Sequence, residues 1–295
     1  MSVSAGHGIG VANRRWLVRG AGCPPAVSAA RRGARQTAGM LRAVSALLLS
    51  LASLASLVGC GGSDAAGPTD GRLQGRLVVL AAASLAGTLP EVADRFELEH
   101  ADVSVELSFD GSARLAAALV EGAPADVFAS ADEANLRAVQ GAGRAGPPSL
   151  FASNQLQIVV AAGNPLQIDD LADLTDPSVA VALCADGVPC GTYARQAFEQ
   201  AGLAVPAAGG EASVTAVLAR VRLGEADAGL VYATDVAGAA GLAGIPLPAG
   251  QQVTATYPAV ALTDAAHPEA AASFVAFLTS RPAQAILRSH GFGPP

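Results

Sequence analysis

The sequence contains no lysine, so every one of its 18 basic residues is an arginine. Without lysine there is no phosphate-binding loop of the GxxxxGK[ST] type. The four cysteines, Cys23, Cys60, Cys184 and Cys190, form no paired C-x-x-C motif, which excludes the usual zinc-binding patterns. The G-x-S-x-G turn that presents the nucleophile of serine hydrolases is also missing.

Acidic residues are absent from the first part of the chain and concentrated in the rest. Seven arginines precede Cys60, whereas 11 arginines and 25 acidic residues follow it, giving this part a net charge of −14. A protein body this acidic is a poor general binder of nucleic acid, because it repels the phosphate backbone. Its hydrophobic fraction of 51% and its length allow one large domain or two modest ones.

Residues 1–59 are typical of a leader. Residues 43–58 form an uncharged apolar run, rich in small residues and too short for a typical membrane span, and Gly59-Cys60 follows it. This ending resembles a bacterial lipoprotein signal, which predicts that Cys60 becomes lipidated and holds the protein on the extracytoplasmic face of the cell membrane. An ordinary cleaved signal and an N-terminal membrane helix are the alternatives.

The sequence also predicts where the leader begins and what kind of segment follows it. Met40 begins a compact signal with Arg42 as its charged region, and Met1 is the alternative start. Residues 60–75 are small, polar and glycine-rich, which predicts a flexible tether between lipid and globular part.

From residue 76 onward, short apolar runs alternate with helical patterns. A first series has predicted strands at 77–82, 103–109 and 126–130, and a second at 155–162, 179–183 and 228–232, with a short helix at 168–174. This alternation is typical of α/β proteins with parallel sheets, and two series of similar size predict two lobes. In such sheets, ligands bind beyond the carboxyl ends of strands, where helices begin.

The predicted junctions between strands and helices carry hydroxyl residues, most of them small, and place no charged side chain where a ligand would make contact. The hydroxyl residues at these junctions are Ser84, Ser112, Thr192, Ser213 and Tyr232, and Arg114 lies one turn inside its helix. Each helix start carries unpaired N–H groups and about half a positive charge. A single serine there is an ordinary N-cap. Because the pattern recurs in both series, it predicts an oxyanion site built of neutral dipoles.

Around these junctions the sequence resembles the molybdate-binding proteins of bacterial ABC importers, a branch of the periplasmic solute-binding family. The resemblance covers about residues 77–292, most specifically AASL at 82–85, GAPADVFASAD at 122–132, GVPCGTYA at 187–194 and GEADAGLVY at 224–232. It implies a two-lobed fold of type II, in which each lobe is a mainly parallel sheet flanked by helices and two crossover strands form the hinge. Lobe 1 then comprises 76–153 plus 256–295, and lobe 2 comprises 154–255.

The resemblance also implies the ligand and its contacts. The contacts fall on the hydroxyls of Ser84, Ser112 and Tyr232 and on the backbone of Cys190 and Val214. The expected role is to bind molybdate or tungstate in the cleft and to deliver it to an ABC permease, with no catalysis, no cofactor and no metal held directly by side chains. A receptor that closes around its ligand is most simply a monomer. Because molybdate and tungstate are larger than sulfate, a rigid ring of donors selects by size.

Two positions depart from the pattern of that family. Cys190 replaces a small residue, and Cys184 lies six residues before it, so a disulfide is permitted outside the cytoplasm; two reduced thiols are the alternative. Asp110 and Gly111 stand before Ser112, where a serine-rich turn is more usual. Since an acidic side chain is unfavourable beside an anion, we expect Asp110 to point away.

Other functions stay open at this point. A receptor for sulfate or another small oxyanion is the alternative within the binding class. A serine hydrolase needs a histidine base, and the three histidines after Cys60 are predicted at helix ends or turns: His100, His267 and His290. A structural or adhesive surface protein would show no stabilisation by a small ligand.

Overall fold

The computed structural model describes residues 72–206 and 209–295. The predicted leader, Cys60 and the tether as far as residue 71 lie outside the described residues. Arg72 forms an ion pair with Asp102 (Nε–Oδ2 2.9 Å), and the first strand begins at Gly75, the last residue of the predicted tether. In the described part of the chain, no helix combines the length and hydrophobicity that a membrane span requires.

The described residues form nine strands and eight α-helices. The strands are β1 (Gly75–Ala82), β2 (Val103–Asp110), β3 (Val127–Ala129), β4 (Ser149–Ala161), β5 (Val181–Cys184), β6 (Gly209–Glu211), β7 (Ala228–Tyr232), β8 (Leu242–Pro246) and β9 (Thr254–Ala261). The helices are α1 (Leu89–Glu99), α2 (Ser112–Val120), α3 (Glu133–Gly141), α4 (Pro189–Gln200), α5 (Val214–Arg222), α6 (Ala233–Val236), α7 (Pro268–Phe277) and α8 (Arg281–Ser289). Short 3₁₀ turns cover Ala83–Leu85 and Asp173–Thr175.

The described strands form one sheet in the order β2-β1-β3-β9-β4-β7-β5-β6, with β8 paired to β4. Three parallel strands lie at each end, β2-β1-β3 and β6-β5-β7, whereas β9 and β4 are antiparallel to their neighbours. We call β1–β3, α1–α3, β9, α7 and α8 the first half, and β5–β8 with α4–α6 the second half. β4 pairs with β9 through residues 149–155 and with β7 and β8 through 156–161, so it connects the halves.

The helices pack on the sheet through apolar residues at helical spacing. Helix α5 buries Val214, Val217, Leu218 and Val221, the i, i+3, i+4, i+7 pattern of an amphipathic helix. In the first half, Phe96 of α1 packs edge-on against Phe274 of α7, with ring centroids 5.1 Å apart. Full burial of one such side chain contributes about 1.5–3 kcal/mol, so these contacts hold the helices against the strands that carry the site.

The helix predicted at 168–174 is wrong. This segment contains only the 3₁₀ turn Asp173–Thr175. Nearby side chains bind its backbone instead: Asn164 accepts from the N–H of Ile168 (3.0 Å), and Asp173 accepts from the N–H of Asp169 (2.7 Å). Such local bonds offer the backbone an alternative to a helix, and hydrophobic spacing alone does not reveal them.

Candidate binding site

A small cavity lies between the two halves at the carboxyl ends of their parallel strands. Five of its lining residues are those predicted to contact a ligand: Ser84, Ser112, Cys190, Val214 and Tyr232. Alanine, glycine, valine, proline and one further serine complete the lining, and none of the described residues around the cavity is charged. The volume of the cavity that is open to the centre of a water-sized sphere is about 10 Å³. This is about the room that a single water molecule occupies, far less than a pocket for a sugar or an amino acid needs.

Each contact residue lies where a strand gives way to a helix or turn. Ser84 is in the 3₁₀ turn that follows β1, and Ser112 is the first residue of α2 after β2. Cys190 and Val214 lie in the first turns of α4 and α5, and Tyr232 ends β7. Within each half the parallel strands end at one edge. Strand β4 runs parallel to β1–β3 and antiparallel to β5–β7, so the carboxyl ends of the two sets face each other across the cavity.

The hydroxyl of Tyr232 is buried and has no hydrogen-bond partner among the described residues. Tyr232 is 1% exposed, and burial raises the pKa of its hydroxyl well above the usual value, so the group stays protonated. An unpaired buried hydroxyl is costly and calls for a partner. Since Tyr232 lines the cavity, its unpartnered hydroxyl is a candidate donor to a guest there.

Hydrogen bonds connect the hydroxyl of Ser84 to Tyr257 and Asn154. The amide of Asn154 is fixed because its Oδ1 accepts from the N–H of Gln155 (2.9 Å) and its Nδ2 donates to Thr234 Oγ1 (2.8 Å). The same Nδ2 lies 3.5 Å from the Tyr257 hydroxyl. The Tyr257 hydroxyl is 2.9 Å from Ser84 Oγ. When Asn154 donates to Tyr257 and Tyr257 donates to Ser84, the proton of Ser84 is free to point into the cavity.

The roles of Asn154 and Tyr257 were not predicted from the sequence. Both lie inside strands, on β4 and β9, and neither is at a helix start. The remaining signal was their polarity: Asn154 is 2% exposed and Tyr257 fully buried, and polar residues at buried positions must find partners. Burial itself, however, is known only once the fold is known.

Ser112 is also arranged as a donor. Its Oγ accepts a hydrogen bond from the N–H of Ala131 (3.1 Å), and the residue is 2% exposed. Because this oxygen already accepts, its proton remains available for a guest. Ser112 is the first residue of α2, so the partial positive charge of that helix end lies beside it.

The second half contributes main-chain donors. The amide N–H groups of Cys190 and Val214 lie in the first turns of their helices and have no acceptor among the described residues. Helix α4 begins at Pro189, so Cys190 lies inside its first turn. Proline is favoured at this position because its missing N–H is not needed there. The amides therefore present both hydrogen-bond donors and helix-end charge.

A disulfide joins Cys184 at the end of β5 to Cys190 in α4, with a Cα–Cα distance of 5.7 Å. The seven-residue loop it closes leads directly into the helix start that lines the cavity. Gly191 packs so closely on this loop that a side-chain carbon there would overlap the carbonyl oxygen of Ala185 and come within 2.9 Å of the carbonyl carbon of Cys184. The disulfide thus ties the donor at Cys190 to the sheet.

Asp110 is not among the residues that line the cavity. Its carboxylate accepts from the N–H of Gly111 (2.7 Å) and pairs with Arg114 (3.3 Å). The charges of Asp110 and Arg114 therefore compensate each other outside the cavity, so neither defines its chemistry. In the described part of the chain, no cluster of three His, Cys, Asp or Glu residues is positioned to hold a metal ion.

Asp235 lies behind Tyr232 and is the acidic residue most affected by burial near the site. Asp235 is half-buried, and the loss of hydration around its carboxyl group raises its pKa to about 7, while the bond from the N–H of Tyr232 (3.1 Å) acts in the opposite direction. The residue sits in α6, whose first turn it caps through that bond. A carboxyl that is partly neutral at pH 7 places less negative charge behind the cavity.

Asp235→Asn is expected to change how stability depends on pH. The folded protein holds a proton on Asp235 up to about pH 7, whereas the unfolded chain releases it near pH 4. The contribution of this group is therefore full below pH 4 and is lost as pH rises through 7, on the order of 2–4 kcal/mol. Urea unfolding at pH 5 and pH 8 should show the variant gaining stability relative to the natural protein at pH 8. Parallel changes in both proteins would contradict the prediction.

The fold and the cavity define a class of protein: two α/β halves connected by the crossing strand β4, with a small cavity between them. The model of the bacterial extracellular solute-binding proteins matches residues 77–293, and the chain belongs to this family. The fold class predicted from the sequence, and the resemblance to molybdate-binding proteins, are confirmed.

Two kinds of relative support this assignment. The molybdate-binding protein ModA of Mycobacterium tuberculosis is 40% identical over 254 residues, covering 84% of this chain and 97% of the relative. The solved periplasmic molybdate-binding protein of Azotobacter vinelandii has a TM-score of 0.66 and 25% identity, covering 74% and 99%. The sulfate-binding protein SubI of M. tuberculosis shares the fold at a TM-score of 0.66 and 19% identity, covering 74% and 86%.

Proposed function

We propose that this protein is a receptor that binds molybdate or tungstate in the cavity between its halves. The oxyanion accepts hydrogen bonds from the hydroxyls of Ser84, Ser112 and Tyr232 and from the amides of Cys190 and Val214. The observation that carries the proposal is the buried, unpartnered hydroxyl of Tyr232 in a cavity whose described lining is uncharged. The names of the M. tuberculosis and A. vinelandii relatives agree with this choice of ligand.

Neutral donors are sufficient for such a ligand. A hydrogen bond to a charged group contributes about 1.5–3 kcal/mol, and five of them converge on one guest. After the cost of association, this supports a Kd from about micromolar to nanomolar. The net charge of −14 after Cys60 does not oppose binding, because salt screens exposed charges beyond about 8–10 Å while the donors act in contact.

The proposed role extends to transport. Lobe 1 (76–153 plus 256–295) and lobe 2 (154–255) move about β4 and β9, and their closure creates the surface that a membrane permease of an ABC importer recognises. Lipidation at Cys60 holds the receptor on the extracytoplasmic face of the cell membrane, where it acts as a monomer. It performs no catalysis and needs no cofactor, because molybdate is its cargo.

Molybdate and tungstate are expected to stabilise the purified protein strongly. At a ligand concentration of 100 times Kd, stability rises by about 2.7 kcal/mol. For a domain of this size that is a rise in Tm of roughly 5–10 °C. Thermal unfolding with molybdate, tungstate and sulfate, followed by calorimetric titration, tests this. An equal response to sulfate would favour the alternative of a sulfate or general oxyanion receptor, and no response to any of the three would refute an oxyanion receptor.

A further inference from the structure

Gly111 occupies a position where the backbone does not require glycine. Its φ of −58° and ψ of 133° are accessible to every residue. It is the N-cap of α2, where serine, aspartate or asparagine would stabilise the helix better. The local rules of helix formation therefore favour a different residue, and the reason for glycine must lie outside α2.

That reason is a close contact with the other half. A side-chain carbon at Gly111 would overlap the carbonyl oxygen of Ala212 and lie 3.3 Å from its carbonyl carbon and 3.7 Å from Cβ of Ser213. Ala212 precedes α5 in the second half, about 100 positions along the chain. Because its oxygen belongs to the backbone, it cannot rotate away as the end of a side chain can.

The contact lies directly beside two of the proposed donors. Ser112 follows Gly111, and Val214 lies two positions after Ala212. The two halves therefore touch next to one proposed donor from each half, and both donors line the cavity. A second bridge spans the halves from Asn135 Nδ2 to the carbonyl oxygen of Gly187 at 3.1 Å. Gly187 lies in the disulfide loop, which leads to the donor at Cys190.

We propose that Gly111 is the positioning residue for closure: its missing side chain lets the halves approach until the donors of both reach one oxyanion. This inference rests on the proposed function. A β-carbon needs about 3.5–4.0 Å to the nearest heavy atom, so any larger residue holds Ala212 away. The donors on the two halves then separate, and hydrogen bonds weaken steeply beyond their normal length of about 2.7–3.2 Å.

Gly111→Ser separates this role from a structural one. Serine is a good N-cap, so the ligand-free variant should melt at the same temperature as the natural protein or slightly higher. Molybdate affinity should nevertheless fall about 10- to 150-fold, equivalent to the loss of one hydrogen bond to a charged group. The loss should appear in the dissociation rate, with the association rate little changed, because closure follows encounter. Gly111→Ala should weaken binding similarly, since it carries the same β-carbon.

Gly146→Ser is the matched control. A side-chain carbon at Gly146 meets no atom within 4 Å, and this glycine is not among those with positive φ. Calorimetry and stopped-flow mixing with molybdate should therefore give natural values for this variant. If Gly111→Ser bound molybdate with natural affinity and dissociation rate, the inference would fail while the proposed function stood. A large drop in ligand-free Tm would also overturn it, and failure of the natural protein to bind any oxyanion would overturn both.

Discussion

Tyr232→Phe is expected to weaken molybdate binding by about 10- to 150-fold, the equivalent of one hydrogen bond to a charged acceptor. The ligand-free protein should be as stable as before or more so. The two effects have opposite signs because the Tyr232 hydroxyl is buried without a partner among the described residues. Its removal relieves an unpaired polar group in the free protein and leaves an oxygen of the bound ion unpaired.

Tyr193→Phe is the control for this substitution. The Tyr193 ring lies beside Tyr232, with centroids 6.4 Å apart, but its hydroxyl accepts from the N–H of Thr256 (3.2 Å) and is not among the groups that line the cavity. Loss of the Tyr193 hydroxyl should lower Tm and leave molybdate affinity unchanged, which is the opposite of what we expect for Tyr232→Phe. Thermal unfolding and calorimetry on both variants distinguish the two. If Tyr232→Phe kept its affinity and lost stability, this hydroxyl would have a structural role and the proposed site would need another donor.

Local rules in the sequence were sufficient to place Ser84 and Ser112 at strand ends, whereas the contacts at Cys190 and Val214 were implied by the family resemblance alone. Ser84 and Ser112 each follow an apolar run that reads as a strand, and the carboxyl ends of parallel strands meet at one edge. That step needs no knowledge of side-chain packing. The orientation of each hydroxyl was beyond reach, because it depends on Tyr257 and Ala131, which lie far along the chain from the serines they contact.

The crossing strand β4 shows a second limit. Residues 155–162 were predicted as a strand, whereas β4 begins at Ser149. Its pairing with β9 shifts register between Leu150 and Ala152, which breaks the alternation of buried and exposed residues by which a strand is recognised. The feature that connects the halves is therefore the one whose pattern is least regular.

The contact between Gly111 and Ala212 marks a third limit. The sequence shows only that glycine stands where a serine-rich turn is more usual. A glycine can satisfy a positive φ, a crowded neighbour or neither, and its sequence neighbours do not distinguish these cases. The distinction required the position of a carbonyl oxygen in the other half of the molecule.

Replacing both Cys184 and Cys190 with alanine is expected to lower stability by about 2–2.5 kcal/mol, since the loss of a crosslink grows with the size of the loop it closes. The loop here spans six positions along the chain. For a domain of this size the change corresponds to a fall in Tm of roughly 5–10 °C. We also expect molybdate affinity to fall, because the loop leads into the first turn of α4, where the amide of Cys190 is a proposed donor.

Reductant provides the control for the disulfide. Treating the natural protein with a thiol reductant under mildly denaturing conditions should reproduce the lower Tm and weaker binding, whereas the double alanine variant should not respond. Thermal unfolding and calorimetry of both proteins, with and without reductant, measure the two effects separately. A lower Tm with unchanged affinity would show that the helix start is held by packing alone, through contacts such as that of Gly191 with the carbonyl of Cys184. The amide of Cys190 would then be positioned without the crosslink, and the disulfide would act on folding stability and not on the ligand.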